Sequence, residues 1–160
     1  FDNEIRDHGT INLLMTSYFS TGIAVKDPNY YPFPEAIHIH HNAFEFGGYN
    51  PLGNGGALMN LVLGTPIPDI VWDGAINSEK LVGGVIPAEF RIYIHHNTVL
   101  HKKEQDNGNP IPKHRTSISF ANMGGLPTLT DPTQAQVKRD LADHTGALPP
   151  IEPVTIAEID

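Results

Sequence analysis

Apolar and polar residues alternate in two matching stretches near the middle of the chain. Ile37-His38-Ile39-His40-His41-Asn42-Ala43-Phe44 and Ile92-Tyr93-Ile94-His95-His96-Asn97-Thr98-Val99 share Ile, Ile, His, His and Asn at five of eight positions. The offset is 97 − 42 = 55 residues. A partial third copy opens the chain: Asp2-Asn3-Glu4-Ile5 aligns with His41-Asn42-Ala43-Phe44 at an offset of 42 − 3 = 39 residues. The period of two sends the isoleucines to one face and the residues between them to the other.

A second apolar segment follows each copy, at residues 11–15, 57–63 and 117–121. The predicted unit is therefore an alternating strand, an Asn at a bend, a short strand, a variable loop and another strand. Residues 49–56 read as a turn-rich loop, and Gly53, Gly55 and Gly56 there lack the strand–helix context of a phosphate cradle. Residues 102–115 read as a polar loop, and 28–34 as an aromatic, proline-rich connection. Ile70-Val71-Trp72 reads as a buried strand ending in a turn. Near the C-terminus, Asp131-Pro132-Thr133-Gln134 carries a helix-start signature, and Val137 and Leu141 lie four apart. A short helix is expected at Pro132–Ala142, followed by an extended tail at 148–153.

Stacking one unit on the next places Ile over Ile and buries a continuous column. Asn tolerates the left-handed region, so it suits the bend, and its amide can bond the Asn one rung away, about 4.8 Å along the stack. The expected fold is all-β: a right-handed parallel β-helix of about three long coils, with a short C-terminal helix. Residues 1–123 form the coils, and 124–160 a capping helix and tail. The expected inward set is Ile5, Leu14, Ile37, Ile39, Phe44, Leu58, Leu61, Ile92, Ile94, Val99, Ile118 and Phe120. Because Phe1–Ile5 matches only part of a copy, further coils are expected before it.

Composition narrows the chemistry. With 10 basic and 18 acidic residues the formal charge is −8, and no basic cluster is present, so nucleic acid is not an expected partner. The 15 Gly, 14 Pro and 12 Asn disfavour a helical bundle. Absence of cysteine excludes disulfides, thiolate metal sites and Cys nucleophiles. No apolar stretch approaches the ~18 residues of a membrane span.

The paired Ile-x-Ile-His-His-Asn segments and the Asn-x-Ile opening resemble bacterial right-handed parallel β-helix repeat proteins. In particular they look like envelope proteins with a tandem pair of such repeats, found beside a second uncharacterised secreted protein and without an assigned activity. The resemblance covers roughly residues 1–123. It implies a periplasmic or extracellular location, with an export signal that a mature or truncated chain would lack.

Nine histidines stand out in 160 residues. Direct stacking puts His40 over His95 and His41 over His96, a candidate site for a divalent ion such as zinc or copper. His101 and His114 flank the polar loop as further candidate ligands. The competing reading is a packed column of neutral imidazoles, since a solenoid repeats residues wherever it repeats an environment. His38, His40, Tyr93 and His95 form an outward strip suited to stacking against sugar rings. Candidate acid–base groups are Asp69, Asp73, Glu45, Glu79 and Glu104, with Arg6-Asp7-His8 as a compact cation–acid–imidazole set. The leading expectation is an envelope or secreted protein that binds or processes polysaccharide. The alternatives are a periplasmic metal-binding protein and a non-catalytic scaffold for a secreted partner protein.

Overall fold

In the computed structural model, residues 1–100 and 117–146 are described. Among the described residues eight short strands carry the architecture: β1 (Glu4–Arg6), β2 (Leu13–Met15), β3 (His38–His40), β4 (Ala43–Glu45), β5 (Ile70–Trp72), β6 (Tyr93–His95), β7 (Thr98–Val99) and β8 (Phe120–Asn122). They pair in three ladders, β1–β4–β7, β2–β5–β8 and β3–β6, and every pairing is parallel. Successive repeat copies thus lie side by side. Ile39 pairs with Ile94 and His40 with His95, as the repeat alignment requires.

The inner face of these ladders forms the main core. Ile39, Phe44, Ile70, Trp72, Ile94 and Phe120 are all buried there, with Met15 and Ile92. Each fully buried side chain of this size contributes roughly 1.5–3 kcal/mol. Val71 points the other way. It joins Leu63, Ile67, Ala121 and Met123 in a second cluster. Strand β5 is consequently buried on both faces, as a central parallel strand should be.

That second cluster accounts for several departures from the sequence reading. Residues 57–63 are not a strand; they belong to helix α1 (Gly53–Leu63), which also takes in part of the expected 49–56 loop. Ala, Leu and Met favour helix, and Met59, Val62 and Leu63 share the face that packs on the cluster. Leu61 falls on the opposite face, 74% exposed, so it leaves the expected inward set. Leu14 leaves it too, at 38% exposure: Leu13 and Met15 face the main core, and a one-residue change of phase turns every side chain over. The chain enters this region through Gly48, at φ +75°, where a Cβ would lie 2.2 Å from the Ile67 carbonyl oxygen.

The expected helix over Pro132–Ala142 is absent. A five-residue helix α2 (Leu126–Thr130) comes earlier, and single 3₁₀ turns occupy Pro132–Gln134 and Ala142–His144. Asp131 caps the first turn, accepting from Thr133 N and Oγ1. Between the turns Lys138 exchanges backbone hydrogen bonds with Asn122, and that antiparallel bridge holds the segment extended. The tail at 148–153 and the polar loop at 102–115 lie outside the described residues.

Two kinds of side-chain staple fix the corners. Asn3 donates to Asn42 Oδ1, and Asn42 to Asn97 Oδ1, each through both backbone N–H and side-chain amide. The residue in the left-handed region is the one before each Asn, with φ +57° at Asp2, +54° at His41 and +52° at His96. The amides bond along the stack, while their predecessors make the bend. On another ladder Asp73, 2% exposed, accepts from Ser17 N, Ser17 Oγ and Ala75 N. Asp69 likewise accepts from Ser119 N and Oγ.

Candidate functional site: a cleft over Trp72 and a separate histidine ladder

The histidines gather where the repeat places them. His38 and His40 share one face of β3, and the His40 ring stacks on that of His95 at 5.6 Å, with 13° between planes. Phe1 continues the column, 4.9 Å from His40. His41 and His96 lie at the bends, their ring centroids 5.2 Å apart. Within each copy the two imidazoles are perpendicular and their Nδ1 atoms meet at 2.7 Å, in His40–His41 and again in His95–His96. His95 also meets His38 through Nε2 of both rings. His38 and His95 are held below the usual histidine pKa, first by burial and then by neighbouring imidazoles.

Two expectations change here. His40, His41, His95 and His96 do not converge on one ion. The stacked rings of His40 and His95 are nearly parallel, so their lone pairs run side by side. Among the described residues no three His, Cys, Asp or Glu side chains are grouped to hold a metal. The strip of His38, His40, Tyr93 and His95 is interrupted as well. Tyr93 is 3% exposed and donates its hydroxyl to the Ala88 carbonyl. The backbone at Gly146 passes over its ring and hides it. His101, His114 and Glu104 lie outside the described residues.

Three of the carboxylates considered for acid–base work, Asp69, Asp73 and Glu45, have structural partners. Asp69 and Asp73 are the buried corner staples. Glu45 is 8% exposed, 3.7 Å from Arg6, and Arg6 also pairs with Glu4. Glu79 sits exposed in a 3₁₀ turn, its own backbone N–H donated to the capping Asn77 Oδ1.

A cleft of about 480 Å³ lies elsewhere, between the end of β5, the excursion at residues 76–91 and the C-terminal segment. Trp72 lines it, 4% exposed, and its indole Nε1 has no hydrogen-bond partner among the described residues. His144 packs edge-on to Trp72 at 5.7 Å and donates Nδ1–H to the Ile92 carbonyl, which leaves Nε2 as acceptor in the neutral ring. Phe33 and Phe90 add aromatic wall, and Glu35, Asp140 and Asp143 add carboxylates. Lys80 pairs with Glu35 and lies 4.0 Å over the Phe90 ring; the Glu35 bond holds its pKa above the usual lysine value. Tyr31 donates to the other Glu35 oxygen at 2.5 Å.

Glycine lets two segments at the cleft come together. Gly74 has φ +81°, and a Cβ there would meet Asn122 Oδ1 at 2.2 Å and Gly125 N at 2.6 Å. No sequence motif announces the cleft. Its one advance signal is Trp72, the single tryptophan, at a strand end followed by Asp-Gly.

Comparison with family models, with curated proteins and with solved structures finds no match. No helix among the described residues is long and apolar enough to cross a membrane.

Proposed function

We propose that the chain is a right-handed parallel β-helix of the envelope or secreted class that binds a saccharide in the cleft over Trp72. Support for the coil comes from three parallel ladders sharing one copy-to-copy order, with Asn, Ile and His each stacked on their own kind. Support for the envelope setting is the repeat's resemblance described above.

The observation that carries the binding reading is the buried, unpartnered indole N–H of Trp72. A buried donor without an acceptor costs about 1–3 kcal/mol, and a small turn of the Trp72 ring toward the cleft would let a ligand oxygen recover it. Sugar hydroxyls also donate, and His144 Nε2 and the cleft carboxylates accept. The lining sets three cations (Lys80, Arg91, Lys138) against three carboxylates (Glu35, Asp140, Asp143), which favours a neutral saccharide over a polyuronate.

Trp72 is the sole tryptophan, so its emission reports on the cleft and the core packed beside it. Neutral oligosaccharides and oligouronates titrated in parallel should shift that emission for the neutral series. Calorimetry on Trp72→Phe should then show roughly tenfold weaker binding, the equivalent of one lost hydrogen bond. Unchanged emission with every saccharide, or equal binding by Trp72→Phe, overturns the reading.

A further inference from the structure

We propose that His40–His41 and His95–His96 are two equivalent two-coordinate sites for a soft monovalent cation, Cu(I) or Ag(I). This goes beyond the saccharide reading and uses none of its residues.

The same geometry occurs twice. In each pair the rings are perpendicular, at 88° and 90°, and the Nδ1 atoms face one another at 2.7 Å. Two nitrogen lone pairs aimed at one point make a two-ligand site. A cation with N–metal bonds near 2 Å needs a wider gap than 2.7 Å. Rotation of His41 and His96 supplies it, because both side chains are exposed.

Ligand number selects the ion. Structural zinc sites take four protein ligands and catalytic ones three, and no such group exists among the described residues. A d¹⁰ monovalent ion is satisfied by two imidazoles in line. Charge acts in the same direction. The pairs sit one rung apart, with His41 and His96 rings 5.2 Å from each other. Two divalent ions at that spacing repel four times as strongly as two monovalent ions, since the energy scales with the product of charges.

His38 has a positioning role at one of the two sites. Its Nε2 faces His95 Nε2. A proton on His95 Nε2, donated to His38, leaves His95 Nδ1 with its lone pair free. An outer hydrogen bond of this kind fixes the tautomer of a ligating histidine. Binding needs only that tautomer shift, so neutral imidazoles lose no proton to solution.

The test is titration of the full chain with Ag(I), and with Cu(I) under reducing anaerobic conditions, followed by native mass spectrometry and calorimetry. Asn tolerates the left-handed region, so His41→Asn with His96→Asn removes one ligand from each pair while keeping the bends. The double variant should take up two fewer equivalents than the parent, and His38→Gln should weaken one site about 10–100-fold. In the parent, the ¹⁵N signals of Nδ1 of His41 and His96 should move on Ag(I) binding, with Nε2 reporting the protonated nitrogen of each ligating ring. Equal uptake by parent and double variant, unmoved Nδ1 signals, or tighter binding of Zn²⁺ than Ag(I) overturns the proposal.

Discussion

Asn42 donates both its backbone N–H and its side-chain amide to a single acceptor, Oδ1 of Asn97, at 3.0 Å each. The same residue accepts from Asn3 and donates to the His40 carbonyl, so it is the middle of a ladder that ties the three repeat copies together. The ladder's value lies in its burial, since Asn42 is 3% exposed and water cannot replace a lost partner.

Asn42→Ala should therefore lower stability by about 2–4 kcal/mol, from several bonds of roughly 1 kcal/mol and the unpaired groups they leave. Urea unfolding should show a lower midpoint with an unchanged slope. A midpoint equal to the parent's would mean that the ladder contributes nothing beyond geometry.

Asp73 poses the corresponding test on a second ladder. Its carboxylate accepts from two donors of Ser17 and from Ala75 N, with almost no solvent access. Asp73→Asn keeps the size but turns an N–H₂ toward those donors. A loss of about 2–3 kcal/mol is expected in thermal or urea unfolding. Ser17→Ala should lose less, because the backbone N–H bond survives.

The histidine cluster contributes to the acid side of the stability profile. His38 and His95 have folded-state pKa values lowered from 6.5. The unfolded chain then binds more protons than the folded one as pH falls below 6.5, so stability present above that value declines toward the lowered values. Urea midpoints should fall slightly from pH 8 to pH 6.5 and further from pH 6.5 to pH 5. The decline should shrink in a His38→Gln, His95→Gln variant. An identical decline in the variant would place its source in other groups.

Two glycines with similar positive φ should respond differently to alanine. Gly22, at φ +69°, has nothing within 4 Å of a new Cβ, and its replacement should cost about 1–2 kcal/mol of left-handed strain. Gly74→Ala adds a collision with Asn122 and with the backbone at Gly125, and should cost several times more while distorting the cleft. Paired thermal melts, with Trp72 emission as a probe of the cleft, compare the two directly.

The repeat was legible in the sequence because parallel, in-register stacking places like residues in like environments. Ile-x-Ile-His-His-Asn written twice already contained the pairing of Ile39 with Ile94 and of His40 with His95. The bends were less so. The Asn was visible, but its bonding along the stack and the left-handed turn at the residue before it depend on backbone geometry that residue type alone does not set.

Tertiary structure alone decided the rest. Residues 57–63 carry a short apolar run that fits strand or helix equally; the second cluster over Val71 favoured the helix. Leu14 lost its inward place because neighbours on both sides of β2 are apolar, and only the partner strand fixes the phase. Tyr93 and His38 occupy paired positions, yet the chain passing at Gly146 hides one and leaves the other partly open. The cleft drew its lining from residues 33–35, 72–92, 122–124 and 136–144, mostly irregular segments without periodicity. Periodicity survives in sequence because every copy repeats it. A site assembled once, from loops distant along the chain, leaves no pattern until the fold brings them together.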